Sequence, residues 1–314
     1  MSKVLVVIKS MGIGDLSILI SSIHAISQKT SKPVTVLAQK NTRAHAILKY
    51  DPHIEEVIEL DEKEIKSFFS IIKKIKPKQF DQSYIYSDSI RLYLISKLSG
   101  IKENFHYKFF SKKGKNFFKT AKEFTEKTLN IEIDTQSKIY CNNDDIVEAK
   151  KKYNMTNHMK NIICGVSASG PTKRWDINNY IKLFELLNSK FKCKFFLAGG
   201  LNDEELVNQV IKSSIGKNCI SFCKMNLSEA MPIIAASQYY IGNDTGWGHI
   251  ASGLGLKSLF LFMDSPPLAY GVYNKKINIL CPDGLTLETT GHNSRGKNRI
   301  PVDKVFKKAY ELIN

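Results

Sequence analysis

Short β-branched runs alternate with longer stretches of helical period along most of this chain, and the alternation runs through twice. Such a succession closes as a parallel sheet covered by helices, because parallel neighbours need a crossover of a dozen or more residues between them. Val4–Ile8 is a continuous apolar run ending at a glycine-containing turn, which reads as a strand buried on both faces. Asp15–Gln28 follows with Leu16, Leu19, Ile20, Ile23 and Ile26 at helical spacing. Pro33–Ala38, Glu56–Leu60 and Gln82–Tyr86 are predicted strands, with helices expected near Thr42–Tyr50, Lys63–Lys76 and Ser89–Leu98. The pattern restarts with strands at Asn161–Val166, Cys193–Ala198, Cys219–Phe222, Tyr239–Gly242, Ser258–Met263 and Ile277–Cys281. Helices are expected between them at Ile177–Asn188, Asp203–Ser213, Leu227–Ala236 and Gly246–Leu254, and Val302–Ile313 closes the chain. The fold class is therefore α/β, as two doubly wound Rossmann-like domains with a ligand cleft expected between them at the strands' carboxyl ends.

Two domains also fit 314 residues at roughly 150 residues each. The pattern is interrupted twice in the middle. Residues 102–122 hold seven Lys, one acid and six aromatic residues with no clean period. Residues 130–160 are polar and charged, with NNDD at 142–145 and KKK at 150–152. The boundary is placed there, giving domains 1–155 and 156–314, with the closing helix a candidate to pack back on the first. Hydrophobic residues at 43% and charged residues at 24% exclude a disordered chain or a rod. The net charge of +16 favours acidic partners without specifying a fold. Six scattered cysteines form no CxxC pair and no zinc set, and read as reduced buried thiols. The N-terminus is too poor in apolar residues for a signal peptide, and no apolar run is long enough for a membrane-spanning helix.

Three strand-to-helix junctions carry candidate chemistry. Gly12-Ile13-Gly14-Asp15 opens the first helix, where glycines admit a ligand to the backbone and the helix N-terminus favours an anion. The dinucleotide fingerprint GxGxxG fails here because Ser17 stands at its last position, which counts against a nicotinamide or flavin enzyme. Asp15 is either a first-turn carboxylate stabilised by the helix dipole or a general base. The second junction, Ser167 to Trp175, combines small hydroxyl residues, a Gly-Pro turn and the cations Lys173 and Arg174, which suits a phosphate-binding loop; a solvated turn is the plain alternative. The third, Gly242-Asn243-Asp244-Thr245-Gly246-Trp247-Gly248-His249, bunches loop-forming residues at a strand end. Asp244 and Thr245 there are either helix caps or ligand groups, and His249 either faces the loop or packs inward.

These residues resemble glycosyltransferase family 9, the heptosyltransferases of lipopolysaccharide core assembly. The likeness is strongest in IKSMGIGDLSILISSIHAI (8–26), GVSASGPTKRWDINNYIKLFELL (165–187) and MNLSEAMPIIAASQYYIGNDTGWGHIASGLGLKSLFLF (225–262), and extends to IPVDKVFKKAYELI (300–313). The resemblance implies the GT-B fold, an acceptor-binding first domain and a donor-binding second domain. It implies an inverting, metal-independent transfer of heptose from ADP-heptose, a substrate rather than a cofactor, to an acidic lipid-linked saccharide. Asp15 matches the catalytic base, beside the glycine loop of Gly12 and Gly14, and Lys173 the group that stabilises the departing diphosphate. Ser167 and Ser169 match the phosphate loop, with the candidate donor-binding Arg174 beside them at a position where other members vary, Glu204 matches the ribose-binding acid and Met225 a residue flanking adenine. Asp244, Thr245, Gly246 and His249 match the diphosphate and sugar loop. Trp247 and Gly248 depart from the usual smaller or aliphatic pair, which opens donor preference to another sugar.

Lys108, Lys112 and Lys113, in the basic aromatic segment, are candidates to meet the acceptor or anionic lipid headgroups, against a plain reading as a solvated loop. The expected location is cytoplasmic, peripheral at the inner face of the inner membrane. The alternatives are a same-fold transferase using another nucleotide sugar for O-antigen, capsule or protein, and a non-catalytic basic nucleic-acid-binding protein. The last is disfavoured, and no nucleic-acid partner is expected, because the basic residues form no recognisable nucleic-acid module.

Overall fold

The computed structural model describes residues 3–9, 12–109, 116–294, 296 and 299–314. The chain divides into two compact units, Met1–Tyr140 and Cys141–Asn314. The division precedes the boundary expected near 155, because the polar stretch after 142 is a helix of the second unit.

The first unit runs β1 (Val4–Ile8), α1 (Ile13–Thr30), β2 (Val34–Gln39), α2 (Ala44–Ile47), β3 (Ile54–Leu60), α3 (Glu62–Lys66), α4 (Phe68–Ile75), β4 (Gln82–Tyr86), α5 (Ile90–Leu98), β5 (Glu103–His106) and α6 (Phe117–Leu129). Its sheet has the order β3-β2-β1-β4-β5, with every pair parallel. β1 lies at the centre, with Leu5 opposite Thr35 on one side and Ser83 on the other, and is buried along its whole length. One long helix was expected over Lys63–Lys76. Ser67 instead takes an extended backbone and its side chain accepts a bond from Ser70 N, capping α4, while Asp61 and Glu64 form a capping box that starts α3.

β5 and α6 lie in the segment whose period the lysines obscure. The inward face of α6 is Ala121, Thr125 and Leu129, too small and polar to register as an apolar stripe, and Thr125 Oγ1 meets the Tyr86 hydroxyl at 2.7 Å. Lys112 and Lys113 lie outside the described residues.

The second unit runs α7 (Asn143–Lys152), β6 (Lys160–Gly165), α8 (Ile177–Lys190), β7 (Cys193–Leu197), α9 (Glu204–Ile211), β8 (Cys219–Ser221), α10 (Leu227–Ala236), β9 (Tyr239–Asn243), α11 (Gly246–Gly253), β10 (Lys257–Leu261), α12 (Pro267–Tyr270), β11 (Ile277–Leu280) and α13 (Val302–Ile313). The parallel sheet has the order β11-β10-β9-β6-β7-β8. α7 buries only Ala149 and has no apolar stripe to betray it. It is held by the Asn142 cap on Asp144 N, by Asp144 and Asp145 in its first turn and Lys150–Lys152 in its last, and by packing on α10. The closing helix α13 packs on the core of its own unit. Val305, Ala309 and Ile313 join the second unit's core, against α8 and β10. The six cysteines are free, and burial pushes the Cys193 and Cys219 thiols up to about 12.

Close approach of α11 to the sheet depends on Gly248. A Cβ built there falls 2.6 Å from Phe260 Cζ and 2.7 Å from Tyr240 Cε1, both core rings. Gly248→Ala is expected to cost about 2 kcal/mol through overpacking, read as a lower denaturant midpoint of the full chain. An unchanged midpoint removes the close-approach argument.

Candidate active site

In each unit the strand order reverses beside the first strand, between β1 and β4 and between β6 and β9, so the loops leaving those strands diverge and open a crevice at the strands' carboxyl ends. In the second unit this crevice is built on Asn243, the buried last residue of β9. Its Nδ2 donates to Val166 O (3.1 Å) and Ser167 O (3.2 Å), and its Oδ1 accepts from Trp175 N (3.0 Å). One amide thus fixes both ends of the loop that leaves β6. Trp175 seats the far end in the core, with its indole N–H on Ile300 O at 2.8 Å and its ring edge-on to Tyr180.

Between those anchors the loop carries its candidates differently. Ser167 is buried, with its hydroxyl on Ala198 O at 3.4 Å, whereas Ser169 is exposed at the crest. Lys173 ends the short turn Pro171–Lys173 and is half-buried. Arg174 faces the neighbouring loops of its own unit: Nε and one terminal nitrogen reach Ala168 O at 3.2 and 3.1 Å, and that terminal nitrogen reaches Asp203 Oδ1 at 3.3 Å. The other oxygen of Asp203 accepts from Gly200 N at 3.0 Å, so the loops after β6 and β7 are tied together. Glu204 follows, paired with Lys224 at 2.7 Å. Met225, next to Lys224, lines a groove of about 560 Å³ with Asn226, Glu229, Glu148 and Tyr153.

The loop after β9 supplies a carboxylate, that of Asp244, whose side chain is 11% exposed. Asp244 Oδ1 meets His249 Nε2 at 3.1 Å and Oδ2 accepts from the Ser265 hydroxyl at 2.7 Å. Burial pushes this carboxyl up, but the His249 and Ser265 bonds and the positive charge of Lys173 outweigh it and hold Asp244 below the usual carboxylate range. The carboxylate is therefore engaged by His249 and Ser265, and Thr245, at the N-cap position of α11, makes no side-chain cap bond. The Thr245 hydroxyl lies 3.3 Å from the Tyr240 hydroxyl, and Gly246 begins the helix. His249 is buried and still faces the loop through Asp244; its Nδ1 meets the Tyr273 hydroxyl at 2.9 Å. Trp247 is half-buried with its ring 5.8 Å from Phe222.

Sequence reasoning did not single out Asp203, Ser265 or Tyr273. They stand 29, 21 and 24 residues from the groups they hold, and no local spacing marks them.

In the first unit, Gly12 is the N-cap of α1 with no side-chain cap bond, and Gly14 and Asp15 lie in the first turn. Asp15 is half-buried there and does not serve as the cap. Lys108 is exposed on the rim of a groove of about 670 Å³ between residues 104–108 and α6, lined by Phe105, Tyr107 and Phe124. Among the described residues, no group of three or more His, Cys, Asp or Glu is placed to hold a metal ion.

Comparison with known proteins agrees with this architecture. The sequence signature of Glycosyltransferase family 9 (heptosyltransferase) matches residues 109–296. Lipopolysaccharide heptosyltransferase 1 of Campylobacter coli is 22% identical over 292 residues, covering 84% of this chain and 85% of that protein. The structure of E. coli ADP-heptose lps heptosyltransferase II aligns over 99% of this chain and 98% of its own, at 17% identity and a TM-score of 0.76. The family 9 glycosyl transferase of Veillonella parvula aligns over 99% and 97%, at 17% identity and a TM-score of 0.79. Two parallel-sheet domains of the GT-B fold and a family signature spanning more than half of its length place this chain in glycosyltransferase family 9, the heptosyltransferase family, as a glycosyltransferase.

Proposed function

We propose that this protein transfers a heptose from ADP-heptose to an acidic, lipid-linked saccharide of the lipopolysaccharide core, with inversion and without a metal ion. The second unit is the donor side and the first the acceptor side. The observation that carries the reading is the constellation at the β6/β9 switch point. There Lys173 and the N-terminus of α11 offer positive potential to a diphosphate, and Asp244 offers an anionic acceptor to sugar hydroxyls. Family membership supports the reaction class, and two of the relatives, Lipopolysaccharide heptosyltransferase 1 of Campylobacter coli and E. coli ADP-heptose lps heptosyltransferase II, support the sugar and the acceptor.

In this reading Asp15 takes the proton of the acceptor hydroxyl as its oxygen attacks the anomeric carbon. The bond from that carbon to the diphosphate oxygen breaks, and its electron pair leaves with ADP. Lys173, the backbone N–H groups near Thr245 and Gly246, the exposed hydroxyl of Ser169 and that of Ser167, turned away from Ala198 O, stabilise the charge on the leaving group. Arg174 acts by holding its loop to Asp203, Glu204 binds the ribose in exchange for Lys224, and Met225 flanks the base. Gly12 and Gly14 admit the acceptor, with Lys108, Lys112 and Lys113 meeting its anionic groups. One observation favours a second reading, a same-fold transferase for another nucleotide sugar: Trp247 places a bulky ring at the start of α11, beside the sugar loop.

The protein is further read as cytoplasmic and peripheral at the inner membrane, with no nucleic-acid partner. Among the described residues no helix is long and apolar enough to cross a membrane. α5, however, exposes Ile90 (42%), Leu94 (45%) and Leu98 (58%) at i, i+4 and i+8, and α4 packed beside it exposes Phe69 (81%). The exposed lysines 66, 73, 97 and 102 on these elements and their flanks match an anionic lipid surface.

With magnesium chelated, ADP at about a hundred times its Kd is expected to stabilise the full chain by about 2.7 kcal/mol, read as a raised Tm. A shift with UDP or GDP and none with ADP moves the conclusion to the second reading. Asp15→Asn is expected to keep that ADP shift and lose about 10²–10⁴-fold in turnover; undiminished turnover removes Asp15 from the base role. Sedimentation with phosphatidylglycerol vesicles is expected to carry down the protein and to fall at least several-fold for Leu94→Asp/Leu98→Asp. Equal sedimentation of the variant places the membrane contact elsewhere.

A further inference from the structure

The donor-side carboxylate is the end of a buried relay whose far member, Tyr273, belongs to none of the loops described above. Asp244 accepts at both oxygens, from Ser265 at 2.7 Å and toward His249 Nε2 at 3.1 Å. An ionised carboxylate has no proton to give, so the 3.1 Å contact is a hydrogen bond only in the form that carries a proton on His249 Nε2. In a neutral imidazole the other nitrogen, Nδ1, is then an acceptor, and the group that meets it is the Tyr273 hydroxyl at 2.9 Å. Two rings flank His249: the Phe260 ring centre lies 5.4 Å away, and the Tyr273 ring centre 5.6 Å away with its plane turned by 28°. Lys173 also acts here, through Asp244.

Tyr273 is itself fixed. It is 1% exposed, and the next residue, Asn274, ties this segment to α11 through a bond from Nδ2 to Ser252 O at 3.2 Å. Burial pushes the Tyr273 hydroxyl well above its ordinary range, so it stays protonated and able to donate.

We propose that Tyr273 is a positioning residue of the donor site: its hydroxyl donates to His249 Nδ1, locks the imidazole in the Nε2–H tautomer, and so holds Asp244 as a fixed anionic acceptor. Without that donor, the ring is free to place its proton on Nδ1, which turns the Nε2 lone pair against the carboxylate and loosens the acceptor. The inference rests on reading Asp244 as a group of the donor site, and it adds a residue that acts through another rather than on the sugar.

The test uses the full chain labelled with ¹⁵N-histidine at pH 8.5, with His249 assigned by the signals missing in His249→Gln. The wild type is expected to show a single Nε2–H tautomer at His249. Tyr273→Phe keeps the ring and is expected to show both tautomers, with kcat/KM for the sugar-nucleotide donor lowered about tenfold at a Tm within a few degrees of wild type. An unchanged tautomer in Tyr273→Phe overturns the proposal, because Asp244 alone then sets the proton. A mixed tautomer with undiminished kcat/KM overturns it as well, because the relay then has no bearing on transfer. Failure of the donor-site reading shows separately, as a wild type inactive with every sugar nucleotide, and the tautomer measurement stands whichever way that falls.

Discussion

At the end of β9 a buried primary amide has to find partners, and Asn243 finds three in the loop that leaves β6. That requirement shapes the crevice of the second unit. A buried polar group left without its bond costs roughly 1–3 kcal/mol, and the carbonyls of Val166 and Ser167 and the amide of Trp175 depend on the same side chain. The loop is thus pinned at its two ends while its crest, from Ser169 to Lys173, is left to meet a ligand. The Tyr240 hydroxyl completes the arrangement by donating to Asn243 O at 2.6 Å, and the glycines at 165 and 242 leave the room that this ring and the paired backbones require.

On that frame the electrostatics are economical. Transfer of a sugar from a diphosphate generates negative charge on the leaving group, and a site that provides fixed positive potential needs little reorganisation when the charge arrives. Lys173 and the start of α11 stand on opposite loops of one switch point, and Asp244 lies within the field of the lysine. The carboxylate stays ionised despite its burial because His249, Ser265 and Lys173 together offset the loss of water. Such a group is unforgiving, since any partner removed leaves a charge in a poorly solvated place.

The alternation of apolar runs and helical periods was enough to read two parallel sheets, because strands buried on both faces leave continuous β-branched segments and their helices leave regular stripes. The elements that escaped lacked those marks. α7 is held by its caps and charges rather than by an apolar face, α6 turns alanine and threonine inward, and β5 is a short edge strand among lysines. The break between α3 and α4 turns on one serine hydroxyl. For the site, the strand-end loops were legible from glycine, hydroxyl and charged residues gathered at element boundaries. Their supports were not, because Asp203, Ser265 and Tyr273 come from the segments that follow the neighbouring strands β7 and β10, and no local period encodes such a contact. Arg174 illustrates the difference: the sequence presents a cation beside a phosphate loop, and the fold hands much of its guanidinium to Ala168 O and Asp203.

That last bond ties together parts of the chain that a sequence reader would treat as separate. Asp203 grips Gly200 with one oxygen and Arg174 with the other, so two loops share a single anchor and cannot drift independently. A substitution at Asp203 would therefore masquerade as a lesion in a segment 29 residues upstream, and repair engineered at either loop alone would leave the other adrift.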